Sequence, residues 1–547
     1  MMGGMTKKPY IFALLLLAVA CKGKDDPVKP VVPDTVTLSL TASMEAVTSA
    51  GVDGNGLVVW QTGDRIAVLL DDGSVTALTL ESGAGTTSAT FTGEIPGARS
   101  FAGKAGYPWW DGAWSSSAGE LVLTLPESME WPGDDYVPTI MKANASGDVL
   151  PFRHDGAIMK ITIKNMPARA ASFKFSSSGG SVMGRDDFTY SFTPQSATRV
   201  FHVPVNAGTL PSYKVSINDA SGSEIASKTK NKTTEVARAD YRELTPLGVE
   251  KDDEIRVLCY NILNGMESDS PNGYSNFVSW VVSQAPDVLI MCEAGNIEQQ
   301  AYRWGHEYTA KVSLDAYPVV ITSSRPLSIK QRITNAEKVK HGAVHVAIGR
   351  YDIVGLHLRP TSNDDGVNGL SAEEYAKYGA LRKDELEYIM AQTVDNPSYS
   401  GIKNWIVCGD FNAYSPLEKT AVSPYKGKSA YYYPEPTASV CYEVYPVIAN
   451  KLTDVIYYKG GTAFKPTMYH GLSRLDYMFV SEGLYGSVTE ADVILGGFAG
   501  NYCEVNNNTN PSDHLPMYMD ITTFTLKALD GLTRLEDWPD EDLFNEN

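Results

Sequence analysis

The sequence predicts two kinds of fold in one chain, an all-β region followed by an α/β domain, with the change near residue 248. Before that point, short segments alternate apolar and polar residues, as in half-buried antiparallel strands, and clusters of Gly, Asn, Asp and Ser separate them. After it, near-continuous apolar strands alternate with amphipathic helices, which is typical of an α/β architecture. The 547 residues suffice for several domains of ordinary size.

The first residues have the pattern of an export signal. Lys7 and Lys8 precede an apolar run, residues 11–20, which is too short to cross a bilayer and fits the hydrophobic region of a secretory signal. Cys21 follows small residues, as in a bacterial lipobox, and the charged residues 22–26 resemble the surface-export signal of Bacteroidetes lipoproteins. We therefore expect a lipid anchor at Cys21 and a location at the outer membrane or cell surface. The alternative is a plain cleaved signal peptide.

Changes in composition divide the chain into five segments. Residues 1–21 are the predicted lipoprotein signal segment, and residues 22–34, which are charged and rich in proline, are predicted to form a tether. Residues 35–248 make up the β-rich region and residues 249–525 the α/β domain. Residues 526–547 form an acidic C-terminal tail.

The β-rich region is predicted to form a sandwich without chemistry of its own. Its residues 60–68 look like the W-x-x-G-D-x-I stretch of fimbrillin-like domains, and residues 154–158 precede a strand in a similar way. This resemblance implies a spacer or adhesion module. A simpler alternative is that Gly63-Asp64 only makes a hairpin turn. Neither interpretation provides a constellation of acid, base and nucleophile.

The α/β domain has predicted strands and helices in mixed order. Near-continuous apolar runs predict strands that are covered on both faces, and amphipathic runs predict helices. Polar residues recur directly after several of these strands, where sheet-based sites are commonly built. The predicted strands are residues 254–262, 287–292, 351–358, 405–408 and 477–480, and the predicted helices are residues 274–284 and 372–391.

The polar residues at these strand ends are of the types that phosphate-ester hydrolysis requires. The substrate is an anion, so a divalent cation must offset the charge that builds up in the transition state. Mg²⁺ takes oxygen ligands and keeps several waters, so two or three side-chain oxygens suffice. A base must take a proton from the attacking water, and amides or imidazoles must face the non-bridging oxygens. The candidates are Asn261, Glu293, His357, Asp410, Asn412, Asp476, Asp513 and His514.

These candidates belong to six short motifs that follow one another along the domain. They are Tyr260-Asn261-Ile262, Cys292-Glu293, His357-Leu358, Gly409-Asp410-Phe411-Asn412, Arg474-Leu475-Asp476-Tyr477 and Ser512-Asp513-His514-Leu515-Pro516. Together, and in this order, they resemble the endonuclease/exonuclease/phosphatase superfamily over about residues 254–520. The resemblance implies a four-layer α/β sandwich of the deoxyribonuclease-I-like type. It also implies metal-dependent hydrolysis of phosphate esters.

The resemblance further implies which residues bind the metal and which orient the histidine at the end of the chain. Glu293, with Asn261 and Asp513, would hold Mg²⁺ or Mn²⁺. Asn261 carries either an oxygen ligand or an amide donor. His514, oriented by Asp476, would act as base or as phosphate contact.

The remaining motif residues would act on the water, the phosphate and the leaving group. Asp410 would position or deprotonate the attacking water, and Asn412 would bind the phosphate. His357 would stabilise the transition state or give a proton to the leaving group. Arg382 matches a common family arginine, which we expect beside the site rather than in it. The sequence does not decide whether Asp410 or His514 is the base.

Several residues of chemically active types lie outside these motifs. We interpret His341, His345 and His470 as structural residues and Asp454 as a helix cap. Residues 316–321 depart from the family pattern, because the family often has a glycine before this apolar strand.

The charge balance limits the substrates. The formal net charge is −19, which repels long polyphosphate chains, so we expect no broad nucleic-acid binding. A metal ion within a cleft still attracts a single phosphate group, as in a lipid head group, a nucleotide or a sugar phosphate. Residues 423–445, rich in Tyr and Pro, have no family counterpart and are expected to influence substrate choice. The competing hypothesis is a non-catalytic surface adhesin or pilus-associated protein that binds through its β-rich region.

Overall fold

The computed structural model describes the central part of the chain, in two compact units. The first unit contains residues up to 122 together with residues 141–153, and the second contains residues 123–140 and the chain from residue 154 onward. The predicted signal segment with Cys21, nearly all of the tether, His470, most of residues 423–445 and most of the acidic tail lie outside the described residues. The described residues are 34–45, 59–146, 149–266, 273–360, 372–418, 442–460, 464–469, 473–502 and 510–529.

The strands up to residue 154 are short, and most of them belong to the first unit. They are β1 (Thr35–Met44), β2 (Arg65–Leu70), β3 (Val75–Ser82), β4 (Ser88–Pro96), β5 (Phe101–Tyr107), β6 (Trp114–Ser117), β7 (Glu120–Leu123), β8 (Ser128–Glu130, in the second unit), β9 (Met141–Asn144) and β10 (Val149–His154). β6 and β7 form a separate two-stranded sheet.

Seven strands of the first unit close into a barrel. β1 pairs in antiparallel fashion with β4 and in parallel fashion with β10, which joins the two edges of the sheet. Trp60 is fully buried and makes edge-to-face ring contacts with Phe91, Tyr107 and Phe152. The strand-rich character agrees with the sequence. Instead of the predicted sandwich, however, this unit forms a barrel because β1 is paired on both sides.

The second unit continues with ten strands, of which four belong to the nine-stranded sheet of the α/β domain and the others to a five-stranded and a two-stranded sheet. They are β11 (Ala157–Met166), β12 (Ala170–Ser177), β13 (Asp187–Ser191), β14 (Ala197–Val205), β15 (Gly208–Leu210), β16 (Tyr213–Asp219), β17 (Glu224–Lys230), β18 (Thr234–Val236), β19 (Tyr241–Glu243) and β20 (Leu247–Asn261). β11 pairs with β14 and, at Ile163 and Lys164, with the start of β20. The boundary placed at residue 248 therefore falls inside β20, and residues 154–248 share a compact unit with the C-terminal residues.

The rest of the second unit alternates strands and helices. The strands are β21 (Val288–Cys292), β22 (Tyr308–Val312), β23 (Val319–Ser323), β24 (Leu327–Ile333), β25 (Ala343–Ile348), β26 (Tyr351–His357), β27 (Trp405–Asp410), β28 (Thr453–Asp454), β29 (Asp476–Val480), β30 (Val488–Val493) and β31 (Met517–Ala528). The helices are α1 (Tyr274–Gln284), α2 (Ala372–Gln392), α3 (Tyr445–Ala449), α4 (Val455–Lys459) and α5 (Glu482–Tyr485). No helix among the described residues has the length and apolar character that a membrane span requires.

Two sheets pack face to face between layers of helix. The first has nine strands and includes the run β14-β11-β20-β21-β23-β22, and the second has the order β24-β25-β26-β27-β29-β28. A buried apolar cluster fills the space between them. α1 packs through Phe277 and Val281 on the outer face of the first sheet, and α2 packs through Leu386 and Ile389 on that of the second. This is the four-layer arrangement that the resemblance implied.

Gly409 allows the two central strands of the second sheet to approach each other. Its φ is +152°, and a Cβ atom at this position would lie 1.8 Å from the carbonyl oxygen of Leu356 in β26. A contact that short forces the backbone to move, because the obstacle is main chain rather than a flexible side chain. Glycine is therefore required directly before Asp410.

We predict that Gly409→Ala destabilises the protein by about 3 kcal/mol or more, because β26 and β27 must separate. The measurement is the midpoint of thermal unfolding. Gly401→Ala is the matched control, since a Cβ at Gly401 would meet nothing within 4 Å. Equal midpoints for the two variants would contradict this account of Gly409.

Candidate active site

Strand register brings the predicted residues to one end of the two sheets. In the first sheet, β20 and β21 are parallel, and Asn261 lies opposite Cys292, the residue before Glu293. In the second sheet, His357, Asp410 and Asp476 occupy one row across three neighbouring strands. β20, β21, β26 and β27 end at this point and the antiparallel strand β29 begins there, so polar side chains from both sheets meet.

Asn261 links the two sheets through its side-chain amide. Its Nδ2 donates to Oε1 of Glu293 at 3.2 Å and to Oδ2 of Asp410 at 3.1 Å. Its Oδ1 accepts the backbone N–H of Leu263 at 3.2 Å. Of the two roles considered for Asn261, the structure shows the amide donor. Glu293 and Asp410 therefore lie within one hydrogen bond of the same nitrogen.

His514 is held by one carboxylate and faces another. Its Nδ1 lies 2.7 Å from Oδ2 of Asp476, and its Nε2 lies 3.6 Å from Oδ2 of Asp410. Burial disfavours a charged imidazole, but the carboxylates of Asp476 and Asp410 outweigh burial and raise the pKa of His514 well above its usual value. The neighbouring carboxylates therefore favour the protonated form of His514, which Asp476 orients.

Asp410 is the acceptor at the centre of the site. The side chain is almost fully buried. Burial, reinforced by the neighbouring charge of Asp476, raises the pKa of Asp410 to about 7. Its Oδ2 faces the amide of Asn261 and the imidazole of His514, while its Oδ1 accepts the backbone N–H of Asn412 at 2.8 Å. One carboxylate thus organises donors from both sheets.

His357, on the neighbouring parallel strand β26, approaches the same oxygen of Asp410. Its Nε2 lies 3.6 Å from Oδ2 of Asp410, the same separation as for His514. Burial, together with the nearby His341 and His514, lowers the pKa of His357 well below its usual value. The pKa values of the two histidines are therefore shifted in opposite directions, which favours the neutral form of His357 and the protonated form of His514.

Two site residues adopt strained backbone conformations. Glu293 has φ +54° and Asn412 has φ +47°, and both are non-glycine residues in the left-handed region. Such conformations persist where the surrounding structure fixes them, often at functional sites. The side-chain amide of Asn412 donates to the carbonyl oxygen of Leu358 at 3.0 Å, which ties the turn after β27 to the end of β26. Binding of phosphate by Asn412 stays a prediction.

Asp513 belongs to a turn that is fastened to the first sheet. The hydroxyl of Ser512 donates to the carbonyl oxygen of Asn261 at 2.8 Å and accepts the N–H of His514 at 3.1 Å. Burial raises the pKa of Glu293, and the charge of Asp513 adds to that effect. The carboxylates of Glu293 and Asp513 are therefore near enough to repel each other.

This donor set fits a hard divalent cation. Four carboxylates lie around one imidazole, so the site has an excess of negative charge that a cation would offset. Oxygen ligands suit Mg²⁺ and Mn²⁺. Glu293 and Asp513 would be the carboxylate ligands. Metal binding by Asn261, whose oxygen also accepts the N–H of Leu263, stays a prediction. Ligand atoms of Asp410, Asp476 and His514 also lie within 4.8 Å of one another. These are the residues for which the motifs predict acid–base chemistry, and Asp476 and His514 are bonded to each other.

The family comparison agrees with this geometry. Residues 258–514 match the model of the Endonuclease/Exonuclease/phosphatase family. The matched residues include all eight predicted site residues and support the resemblance for the C-terminal half of the chain. The fimbrillin-like resemblance of the β-rich region stays a prediction. Comparison with curated proteins gave no match.

Solved structures of nucleases and phosphatases are similar to part of the chain. An AP endonuclease from Archaeoglobus fulgidus has 17% identity and a TM-score of 0.35, covering 48% of this chain and 98% of its own. The 3′ phosphatase NExo from Neisseria, bound to a product DNA hairpin, has 14% identity and a TM-score of 0.36, with 49% and 99% covered. The 3′-5′ exonuclease NExo from Neisseria meningitidis has 15% identity and a TM-score of 0.36, with 49% and 99% covered.

A buried ion-pair network, which the sequence did not reveal, supports the motif strand β29. Arg474, two residues before Asp476, is fully buried and donates to both oxygens of Asp454, at 2.9 and 2.7 Å. It also pairs with Glu418, six residues after Asn412, at 3.0 Å. Asp454 caps α4, as predicted, and has this second role in addition. The only sequence signal for this network was the position of Arg474 beside Asp476.

Arg382, His345 and His341 each make buried contacts of their own. Arg382 is buried on α2 and donates to the carbonyl oxygen of Arg359 at 3.4 Å, which agrees with a place beside the site. His345 is buried and pairs with Asp352 at 2.7 Å. His341 contacts the ring of His357, a position that no motif indicated.

We predict that Arg474→Met lowers stability by about 3–5 kcal/mol, because it leaves the buried carboxylates of Asp454 and Glu418 without a cation. The measurement is the midpoint of thermal unfolding. Lys383→Met is the control, since Lys383 makes an exposed ion pair with Glu387 within α2 and should leave the midpoint nearly unchanged. An unchanged midpoint for Arg474→Met would refute the importance of this network.

Proposed function

We propose that this protein is a divalent-metal-dependent hydrolase of phosphate esters. The observation that carries the proposal is the arrangement around Asp410. Its Oδ2 lies 3.1 Å from an amide nitrogen and 3.6 Å from each of two imidazole nitrogens, beside the carboxylates of Glu293 and Asp513. A base, cationic and neutral donors, and oxygen ligands therefore converge at one place, which is what a phosphate ester requires.

Each of these residues has a separate role in the hydrolysis. Asp410 accepts a proton from water, whose oxygen forms a bond to phosphorus while the bond to the leaving oxygen breaks. His514, held by Asp476, donates to the non-bridging oxygens, on which negative charge grows. His357 donates from the other side, and the leaving oxygen takes its proton from solvent or from a donor in the site. A bound Mg²⁺ or Mn²⁺ supplies Lewis-acid stabilisation of that charge.

The test is hydrolysis of bis-p-nitrophenyl phosphate and p-nitrophenyl phosphate by the full-length protein, with Mg²⁺ and after chelation. We predict that Asp410→Asn lowers kcat by about 10²–10⁴-fold, because the proton acceptor is lost. Asp395→Asn is the matched control, since Asp395 pairs with Lys451 on the surface. Glu293→Gln should raise the Mg²⁺ concentration needed for half-maximal rate.

The outcome also separates the competing functions. Absence of metal-dependent turnover on both esters, and on lipid head groups, nucleotides and sugar phosphates, would favour the adhesin hypothesis. Activity on the diester but not the monoester would identify a phosphodiesterase. The net charge of −19 supports small phosphate esters over long nucleic acids.

We further propose that the protein is anchored to the outer membrane or cell surface by lipid at Cys21. The support is the pattern of Lys7 and Lys8, the apolar residues 11–20 and the cysteine that follows small residues. Acyl chains on that cysteine would hold the protein in a membrane, since two or more chains bind firmly.

We predict that Cys21→Ser moves the protein from the membrane fraction to the soluble fraction, because no acyl chain can be attached. The measurement is fractionation of cells expressing the full chain. Cys259→Ser, which alters a cysteine buried in β20, is the control and should stay with membranes. Retention of Cys21→Ser in the membrane fraction would count against lipidation.

A further inference from the structure

Two buried imidazoles are stacked beside Asp410. The rings of His341 and His357 have centroids 4.2 Å apart and planes inclined by 19°. Their exposed fractions are 1% and 3%. His341 precedes β25 and belongs to none of the motifs. Face-to-face contact between two buried rings fixes the plane of both.

The two histidines that face Asp410 are held in different ways. His514 is oriented by a carboxylate, since its Nδ1 is bonded to Asp476. Among the described residues, no carboxylate is bonded to Nδ1 of His357. The ring contact with His341, together with a hydrogen bond to the backbone of Tyr317, therefore takes the place that a carboxylate has for His514.

A loop that departs from the family pattern fixes His341 itself. Nδ1 of His341 lies 2.8 and 3.0 Å from the two carboxylate oxygens of Asp315. The ring of Tyr317 meets that of His341 edge to face, with centroids 5.4 Å apart. Asp315 also accepts the backbone N–H of Tyr317 at 3.0 Å, which stabilises the loop. The loop therefore fixes His341 through its hydrogen bonds with Asp315 and its ring contact with Tyr317.

A buried carboxylate connects the chain segments that carry the two stacked rings. Glu385 of α2 has no exposed surface. One oxygen accepts the backbone N–H of Lys340 at 2.6 Å, and the other accepts that of Arg359 at 3.2 Å. Lys340 adjoins His341, and Arg359 lies two residues after His357. Glu385 therefore fastens together the two chain segments that carry the rings.

We propose that His341, fastened by Asp315, is a positioning residue that aims Nε2 of His357 at the reacting phosphoryl group. The proposal rests on the proposed function, since it assigns the orientation of one of its donors. Burial, together with the nearby His341 and His514, lowers the pKa of His357. This favours its neutral form, in which one nitrogen donates and the other accepts.

The principal test compares turnover of bis-p-nitrophenyl phosphate by the full-length protein and its variants. We predict that His341→Leu lowers kcat by about 10²-fold with little change in KM, because a misplaced donor costs about that much. His341→Phe keeps the ring contact and should retain more turnover than His341→Leu. Asp315→Ala, which alters a partly exposed side chain, should lower kcat in the same direction.

His345→Leu is the matched control. His345 is also buried and also bonded to an aspartate, Asp352, so its loss should lower the unfolding midpoint comparably. It should leave kcat unchanged at temperatures where the protein is folded. A merely structural role for His341 would make the His341→Leu and His345→Leu variants behave alike.

A double mutant tests whether His341 acts through His357. In a His357→Leu background, adding His341→Leu should cause no further loss of kcat. An equal loss in both backgrounds, or wild-type kcat in His341→Leu, would overturn the proposal.

Imidazole nitrogen resonances provide a readout without turnover. The chain has only eight histidines, so His357 can be assigned from the His357→Leu variant. The His357 resonances should move in His341→Leu and not in His345→Leu; unmoved resonances would overturn the proposal. If the wild-type protein hydrolyses no phosphate ester, the proposed function fails. The resonance measurement alone then tests whether His341 positions His357.

Discussion

The hydrogen bond from the Asn261 amide to Asp410 joins the two sheets at the point where their strands end. It crosses from β20 to β27 and is buried on both sides. A buried carboxylate is costly unless donors surround it, and the donors here come from four different chain segments. The packing of the two sheets therefore also fixes the positions of the acid–base groups. Any change that slides one sheet past the other therefore separates Asp410 from the amide of Asn261.

The sequence predicted the local features of the α/β domain well. The helix at residues 274–284 was found with those bounds, and Glu293 and Asp410 lie where apolar strands end, because periodicity and strand termination are encoded over a few neighbouring residues. Long-range contacts were not predictable. Closure of the barrel depends on pairing between residues 41–44 and 149–152, and no local pattern reports which distant strand a segment will join. The stacking of His341 on His357 had no motif for the same reason.

Burial and charge together explain why the two histidines that face Asp410 can have separate roles. Burial opposes a charged imidazole at both positions, but the carboxylates of Asp476 and Asp410 raise the pKa of His514 above its usual value. His357 has no such carboxylate bonded to its ring, so burial and the nearby His341 and His514 lower its pKa. The difference comes from residues that are far apart in the chain.

Strand β20 has a practical consequence for dissecting the molecule. This strand pairs with β31 from Leu247 to Cys259, and its first two residues also pair with β11. A fragment that begins at residue 249 would cut this strand near its start and would leave the end of β31 without a neighbour. Fragment design that follows a motif boundary would thus expose main-chain hydrogen-bonding groups and invite aggregation. A fragment intended to keep the sheet whole has to begin ahead of β11.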